Sequence, residues 1–487
     1  MSSDLTRRVH SSAKFDFPTV RSPDDSGTLR RVDPTAGIGN VYTAGGTVSF
    51  GITNATELVD MKSAYLTYEI VIAQTNVNAQ AMYLSRAPNE WESGTVFFNG
   101  TQLQAVTSDL GNVTYNHAIH TDPMQYATIV DAVGISEPPA HIAFGQMQIG
   151  RESHSRMGRP ASTMAVVSGT PSYFQVSIPL RYMLSSFYSE YLPVELFCGC
   201  QTLRVDLLVT SAIRKFTWFG ADPGGAGGGD TAAFTIINPQ IWYKTFKPCP
   251  AYVEALNMRF ENPETPLGDH TIPAIRIPYL NEAIFKTEQQ KGTPGVQINI
   301  DISAVSVRAV MIWARRSDTA AGYDQDFAYG DWIRKHGFYM MAGQTQIPSQ
   351  PISGAGYTVP YRGVENAIRV LAQNGAGQMY RGQDRLTYSV PPRSNFLDQG
   401  VDYFTTTGVQ STSFILIDLT AHNAVYGDGK SEDAVGFVDG MPLNCRLVAN
   451  MITDLPTDVS VTWYSQVVYN SVIDVSKANG VIRLENL

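Results

Sequence analysis

Val307-Arg308-Ala309-Val310-Met311-Ile312-Trp313-Ala314 opens the stretch whose reading decides the fold. Its aliphatic, β-branched and aromatic residues read as a strand. A long polar segment, Arg315 to Asp331, separates it from a second apolar run, Gly337-Phe338-Tyr339-Met340-Met341-Ala342-Gly343. That run ends in Gln346-Ile347-Pro348-Ser349-Gln350-Pro351. Beyond it, Val364, Ala367, Ile368 and Leu371 recur at helical spacing within Tyr361 to Leu371, which predicts a short one-sided helix. The order strand, loop, strand, short helix carries no enzyme signature.

The same order occurs earlier in the chain. Thr47-Val48-Ser49-Phe50-Gly51-Ile52 alternates, and Ala64 to Ile72 places Leu66, Tyr68, Ile70 and Ile72 on one face. Thr95 to Leu103 reads as a hairpin, with Asn99-Gly100 supplying the positive φ angles of its turn. Asp122-Pro123 has the residue types of a helix start, and Met124, Ala127, Val130 and Val133 follow at i, i+3 spacing. A helix is therefore expected there. Further strands are expected at Phe174–Leu180, Leu203–Val209, Phe234–Ile237 and Gln240–Phe246, and Pro248 and Pro250 mark a boundary near residue 250. After it, Val296–Ile302, Phe414–Leu419, Leu443–Met451 and Val459–Val475 read as strands. In the last, Val459, Val461, Trp463, Ser465, Val467 and Tyr469 share a face.

Two correspondences make the halves copies. Phe98-Asn99-Gly100-Thr101-Gln102-Leu103 parallels Met341-Ala342-Gly343-Gln344-Thr345-Gln346-Ile347, each followed by a short helix. Each half also closes on a Trp-Tyr pair, Trp242-Tyr243 and Trp463-Tyr464. Many short strands and one helix per half fit a sandwich or jelly roll rather than an α/β enzyme. The expected division is an N-terminal arm at 1–35, one roll at 36–250 and a second at 251–487. The arm is expected to lack a core of its own, since it is polar and mixes Arg7, Arg8, Lys14, Arg21, Arg30 and Arg31 with several Asp.

Composition bounds the function. The 487 residues are 43% hydrophobic but only 16% charged, with 24 Tyr and 21 Phe, as expected where copies of the chain cover much of the surface. A net charge of −9 argues against a general nucleic-acid binder. Four Cys do not make a disulfide framework, and Cys198 and Cys200 read as small buried hydrophobes of a reducing compartment. Met1-Ser2-Ser3-Asp4 lacks the apolar core of a signal peptide, and no run is long enough to span a membrane. Folding in cytosol or nucleus is the expectation, which empties the sequons at Asn54, Asn99 and Asn112 of meaning.

Catalytic signals are weighed and set aside. His117-Ala118-Ile119-His120-Thr121-Asp122 pairs two histidines with a carboxylate, but read as a strand it points them to opposite faces, and no third ligand is evident. The Gly224–Gly229 region is not a phosphate loop, because no Gly-Lys-Ser/Thr ends it. Tyr426 to Asp433 breaks the register of a calcium loop and reads as solvated. No carboxylate pair stands out for glycoside hydrolysis. No catalytic, cofactor-binding or metal-binding residue is expected.

Taken in order, several segments carry a resemblance to a known family. They are Val96–Leu103 with its Asn-Gly turn, Phe174–Val209 with Tyr191-Leu192-Pro193, Trp242–Val253, Phe338–Pro351 with Gln346-Ile347-Pro348, and Val459–Asp474. Together they resemble the double jelly-roll major capsid protein of double-stranded DNA viruses, in the lineage of polinton-like elements, adintoviruses and virophages. The inserts at Gly134–Pro171 and Gly224–Gly229 have no counterpart in that pattern. The resemblance implies an all-β chain of two tandem eight-stranded jelly rolls, each with a short helix. It implies a homotrimer that builds a pseudo-hexagonal capsomer and then an icosahedral lattice. The implied partners are penton and minor capsid proteins, with the packaged genome as a contact of the N-terminal arm. The implied location is the virion, after folding in the host cytoplasm or nucleus. No enzyme activity, small-molecule substrate or cofactor is implied.

Two other readings remain open on the residues alone. One is a carbohydrate-binding or glycoside-cleaving β-sandwich such as a fibre or lectin. The other is a single-jelly-roll capsid protein with a projecting domain, which requires a second half of different topology.

Overall fold

The computed structural model describes residues 27–35, 40–53, 57–74, 79–83, 88–121, 172–188, 191–192, 203–211, 217–220, 232–247, 250, 254, 275–293, 295–302, 304–316, 337–342, 345–353, 414–418, 441–443, 447–452, 460–476 and 480–486. The first twelve strands are β1 (Thr28–Val32), β2 (Val41–Thr43), β3 (Thr47–Ile52), β4 (Leu58–Gln74), β5 (Ala79–Tyr83), β6 (Trp91–Phe98), β7 (Thr101–Val106), β8 (Ser172–Pro179), β9 (Tyr191–Leu192), β10 (Leu203–Val209), β11 (Thr217–Gly220) and β12 (Ala232–Phe246). The remaining ten are β13 (Ile275–Gln289), β14 (Gly295–Ile300), β15 (Ala304–Arg316), β16 (Gly337–Ala342), β17 (Thr345–Ser353), β18 (Phe414–Asp418), β19 (Met441–Leu443), β20 (Leu447–Ile452), β21 (Val461–Ser476) and β22 (Gly480–Asn486). Helix α1 (Leu110–Thr121) follows β7, and α2 (Leu180–Met183) with a 3₁₀ turn, Ser185–Tyr188, follows β8.

One topology occurs twice. In the first half one sheet runs β1-β12-β4-β8, with β2 also on β12, and the facing sheet runs β3-β10-β6-β7. In the second half the sheets run β13-β21-β15-β18 and β14-β20-β16-β17. Along the chain the eight strands of each roll alternate between its two sheets except at one hairpin, β6–β7 or β16–β17, and the pairings are antiparallel, which is the wrapping of an eight-stranded jelly roll. The fold is two jelly rolls in tandem. A second half of different topology is therefore excluded.

Alternation builds each core. β10 has the burial pattern that its sequence predicts: Leu203, Val205, Leu207 and Val209 are fully buried, and Arg204 is exposed between them. Leu66, Tyr68 and Ile70 of β4 face the same interior from the other sheet, where the Tyr68 ring meets Trp91 edge-on with centroids 5.3 Å apart. The second roll repeats the plan with Ile298, Ile300, Val310, Ile312, Met340, Trp463 and Val467.

Several elements differ from expectation. β1 pairs with β12 from Thr28↔Thr245 to Val32↔Ile241, so the end of the expected arm is a strand of the first roll. The Arg30 guanidinium clamps it to Glu57 at 3.1 Å. The two strands expected at 234–246 are one, β12, kinked by a register shift between Ile237 and Gln240, where Asn238 takes φ 49°. Leu443–Met451 is two strands, β19 and β20. β17 runs through Pro348 and Pro351, which an outermost strand tolerates because its free edge needs no donor. Arg315 and Arg316 belong to β15 rather than to a loop.

The helix of the first roll is α1, twelve residues ending at Thr121, near where the sequence reading started one. The expected helices at 122–133 and 361–371 lie outside the described residues. So do Cys198, Cys200 and the segments 134–171, 224–229, 317–331 and 426–433.

The paired turn and the paired Trp-Tyr hold as correspondences, with one change. Both turns join equivalent strands, β6 to β7 and β16 to β17. Asn99 and Gly100 take φ 48° and 81°, as a primed two-residue turn requires. Both Trp-Tyr pairs lie on the equivalent strands β12 and β21, but in opposite phase. Tyr243 points into its core beside a half-exposed Trp242, whereas Trp463 points inward beside a half-exposed Tyr464.

Candidate functional site: the seam between the two rolls

β15 and β21 are buried on both faces. Every residue from Ser306 to Arg315, and every residue from Ser465 to Val475, is buried. One face packs into the second roll's own core. The other carries Ala309, Met311, Trp313, Arg315, Gln466, Val468 and Asn470, and the first roll covers it. The covering elements are β7, the start and buried face of α1, and the 3₁₀ turn after α2.

Glu282 is the centre of this seam. It projects from β13, its side chain has no exposed surface, and groups from four other elements converge on its carboxyl. On Oε1 it accepts from the Gln104 side chain of β7 and from the backbone N–H of Ser185 at 3.4 Å. On Oε2 it meets Gln466 Nε2 of β21 at 2.7 Å and His117 Nε2 of α1 at 3.0 Å. An ionised carboxylate has four such lone-pair positions. Burying one without partners costs several kcal/mol, so this degree of satisfaction is what allows it to sit between two apolar cores.

The surrounding bonds tie the same elements together. Gln104 also accepts the Ser186 N–H at 2.8 Å through its own Oε1. The Ser185 hydroxyl donates to the Leu280 carbonyl at 3.2 Å, and Tyr279 O–H donates to the Leu103 carbonyl at 3.1 Å. Burial pushes the Tyr279 phenol well above its ordinary range. Burial also pushes Tyr469 of β21 up to about 12, with the negative field of Glu282 adding to it.

A second centre lies at the start of α1. Asp109, held at φ 54°, accepts Trp313 Nε1 at 2.8 Å and Arg315 Nη2 at 3.4 Å, both from β15, and Asn112 Nδ2 at 3.2 Å from its own helix. Next to it Gly111 presses on Asn89, whose Oδ1 would stand 2.3 Å from any added Cβ. Only glycine lets the helix start this close.

His117 is the one candidate ligand that the structure explains. It lies on α1 rather than on a strand, fully buried on the face that also carries Leu110 and Val113. Its Nδ1 donates to the Tyr182 carbonyl at 2.7 Å, and its Nε2 faces the Glu282 carboxylate. Helical spacing at Leu110, Val113 and His117 is the signal that marks this face in the sequence. Among the described residues, no group of three or more His, Cys, Asp or Glu is placed to hold a metal. The seam is a docking joint: carboxylates of both halves fix one relative orientation, and apolar contacts fill the space between them.

No family model and no curated protein matches the sequence. Solved structures match its fold along nearly the whole length. The Faustovirus major capsid protein is 8% identical with a TM-score of 0.53, over 98% of this chain and 99% of that one. The mavirus major capsid protein is 12% identical with a TM-score of 0.52, over 94% and 90%. A chain of the Sputnik virophage is 12% identical with a TM-score of 0.50, over 94% and 88%. The class is thus the double jelly roll. The chain has the fold of viral major capsid proteins.

Proposed function

We propose that the chain is the major capsid protein of a double-stranded DNA virus, a structural subunit without enzyme activity. The observation that carries this reading is the pair of equal rolls locked at a fixed angle by a buried polar seam. A subunit of that shape presents two similar sides in one chain. Three copies present six, enough for a pseudo-hexagonal capsomer that tiles an icosahedral shell. The low charge of 16% suits a surface that other subunits cover.

The reading extends to finer points. The rolls divide near residue 250, and the segment before β1 acts as an arm reaching neighbouring subunits or the packaged genome. Penton and minor capsid proteins complete the shell, and the protein folds in the host cytoplasm or nucleus before entering the virion. The lineage is that of polinton-like elements, adintoviruses and virophages. Native mass measurement with negative-stain imaging tests the proposal. A trimer of hexagonal outline, or closed shells, is expected. A persistent monomer that binds glycans defeats it in favour of a fibre or lectin.

A further inference from the structure

Asn99-Gly100 is a chemically reactive pair as well as a turn. The Asn99 side-chain amide and the Gly100 backbone nitrogen are one ring closure apart, and glycine puts no Cβ in the way. The sequence holds three Asn-Gly pairs, at Asn99, Asn374 and Asn479, and the first lies wholly among the described residues.

The fold leaves this pair open. Asn99 and Gly100 are both exposed at the tip of the β6–β7 hairpin, between the paired residues Phe98 and Thr101. Nothing lies within 4 Å of a Cβ built on Gly100, so no neighbour blocks the approach of the Asn99 side chain. In a two-residue turn the N–H of the second central residue stands outside the strand ladder. Ring closure requires Asn99 to rotate out of its left-handed conformation, φ 48°, and a hairpin tip opens more readily than a core strand.

The reaction balances with water as its one co-reactant. Gly100 N attacks Asn99 Cγ and gives up its proton. The N–Cγ bond forms, the Cγ–Nδ2 bond breaks, and the side-chain nitrogen leaves as ammonia with that proton. Water then opens the cyclic imide at either carbonyl. One product is an ordinary aspartyl residue at position 99. The other is an isoaspartyl residue, whose backbone runs through the former side chain and is longer by one carbon.

The longer backbone matters because β7 reaches the seam. The Leu103 carbonyl accepts Tyr279 O–H, and the Gln104 side chain donates to Glu282. A primed two-residue turn matches the twist of its strands at its own length only. Lengthening it shifts β7 against β6 and draws Leu103 and Gln104 away from the second roll. The equivalent turn of the second roll reads Gly343-Gln344 and has no such pair.

We propose that Asn99 is a site of spontaneous deamidation, and that its isoaspartyl product loosens the seam between the rolls as the protein ages.

The test ages the full chain in mildly alkaline buffer, then maps its peptides by mass and assays isoaspartate with an isoaspartyl methyltransferase. Conversion at Asn99 is expected in the fraction that elutes as folded protein. Asn99→Gln, which would need a larger ring, should lose it. An Asn99 amide that survives ageing in the folded fraction overturns the site, whether or not Asn374 and Asn479 convert. Ion exchange separates the converted chain by its added negative charge, and its denaturation midpoint should fall below that of fresh protein. An unchanged midpoint overturns the link to the seam. Asn99→Asp supplies the charge without the longer backbone and should denature as the fresh chain does. If it loses as much as the aged chain, the lengthened turn is overturned as the cause.

Discussion

His117 Nε2 stands 3.0 Å from Glu282 Oε2, across the joint between the two rolls. The other ring nitrogen, Nδ1, donates to the Tyr182 carbonyl at 2.7 Å, since a carbonyl oxygen can only accept. The Gln466 amide nitrogen lies 2.9 Å from Nε2 and 2.7 Å from Glu282 Oε2, so one side chain of β21 joins the imidazole to the carboxyl. Donors of both rolls, Gln104 and Ser185 of the first and Gln466 of the second, thus meet on the Glu282 carboxyl. Removing one partner strands the other. Glu282→Ala is expected to cost roughly 1–3 kcal/mol for each buried donor left without its acceptor. The loss falls on docking rather than on either core, so chemical denaturation should turn from one transition into two. A single transition at the unsubstituted midpoint would show that Glu282 does not couple the rolls.

The Asn99-Gly100 turn isolates a purely conformational cost. Gly100 has φ +81°, and nothing lies within 4 Å of an added Cβ. Gly100→Ala therefore meets no clash and pays only for the left-handed backbone, about 1–2 kcal/mol. Gly100→Asn should recover part of this, since Asn tolerates positive φ better than Ala. Denaturation midpoints of the two variants should differ in that order; equal midpoints would sink the turn assignment.

Much of the fold is legible in the sequence because its strands bury one face at a time. Leu203 to Val209 alternates in sequence and in burial alike. The seam is not legible for the opposite reason. Gln466 and Asn470 occupy the polar phase of β21, which by alternation reads as solvent-facing, yet both are buried, Gln466 against His117 of the first roll and Asn470 on Ser306. Nothing local distinguishes a polar residue facing water from one facing a buried carboxylate. Likewise α1 carries Asn112, Thr114 and His117 on buried positions, where Asn112 bonds Asp109, Thr114 bonds back to the Leu110 carbonyl of its own helix and His117 faces the seam. The helical spacing of Leu110, Val113 and His117 is the trace that this face leaves in the sequence.

Trp463 tests the core as Glu282 tests the seam. Its side chain is fully buried, and its Nε1 donates to Gln289 Oε1 at 2.9 Å. Trp463→Ala leaves a cavity and an unpaired amide, and is expected to cost about 3–5 kcal/mol. Trp463→Phe fills most of the space but still strands Gln289, which predicts a smaller loss of about 1–3 kcal/mol. Soluble Trp463→Ala that assembles at unsubstituted yield would count against β21 as a core strand.

Glu90 gives the first roll a pH dependence of known sign. Its carboxyl is buried at the base of β6 and accepts the Tyr68 hydroxyl, while its backbone carbonyl accepts Thr210 N–H at 2.8 Å. Burial pushes its pKa up to about 7, against the lowering effect of the Tyr68 bond. An unfolded glutamate titrates near 4.5. Between those values the folded chain holds a proton that the unfolded chain has released, so stability falls as pH rises. The favourable contribution is fully present below about 4.5 and is gone above about 7, a change of ~3 kcal/mol from the shift in pKa. Glu90→Gln keeps the shape and never ionises. The variant should therefore gain on the unsubstituted chain by that amount between pH 4.5 and 8, with other titrating groups cancelling in the difference. Guanidinium denaturation of both proteins at the two pH values measures it. An equal stability difference at both would mean that Glu90 is ionised in the folded roll throughout.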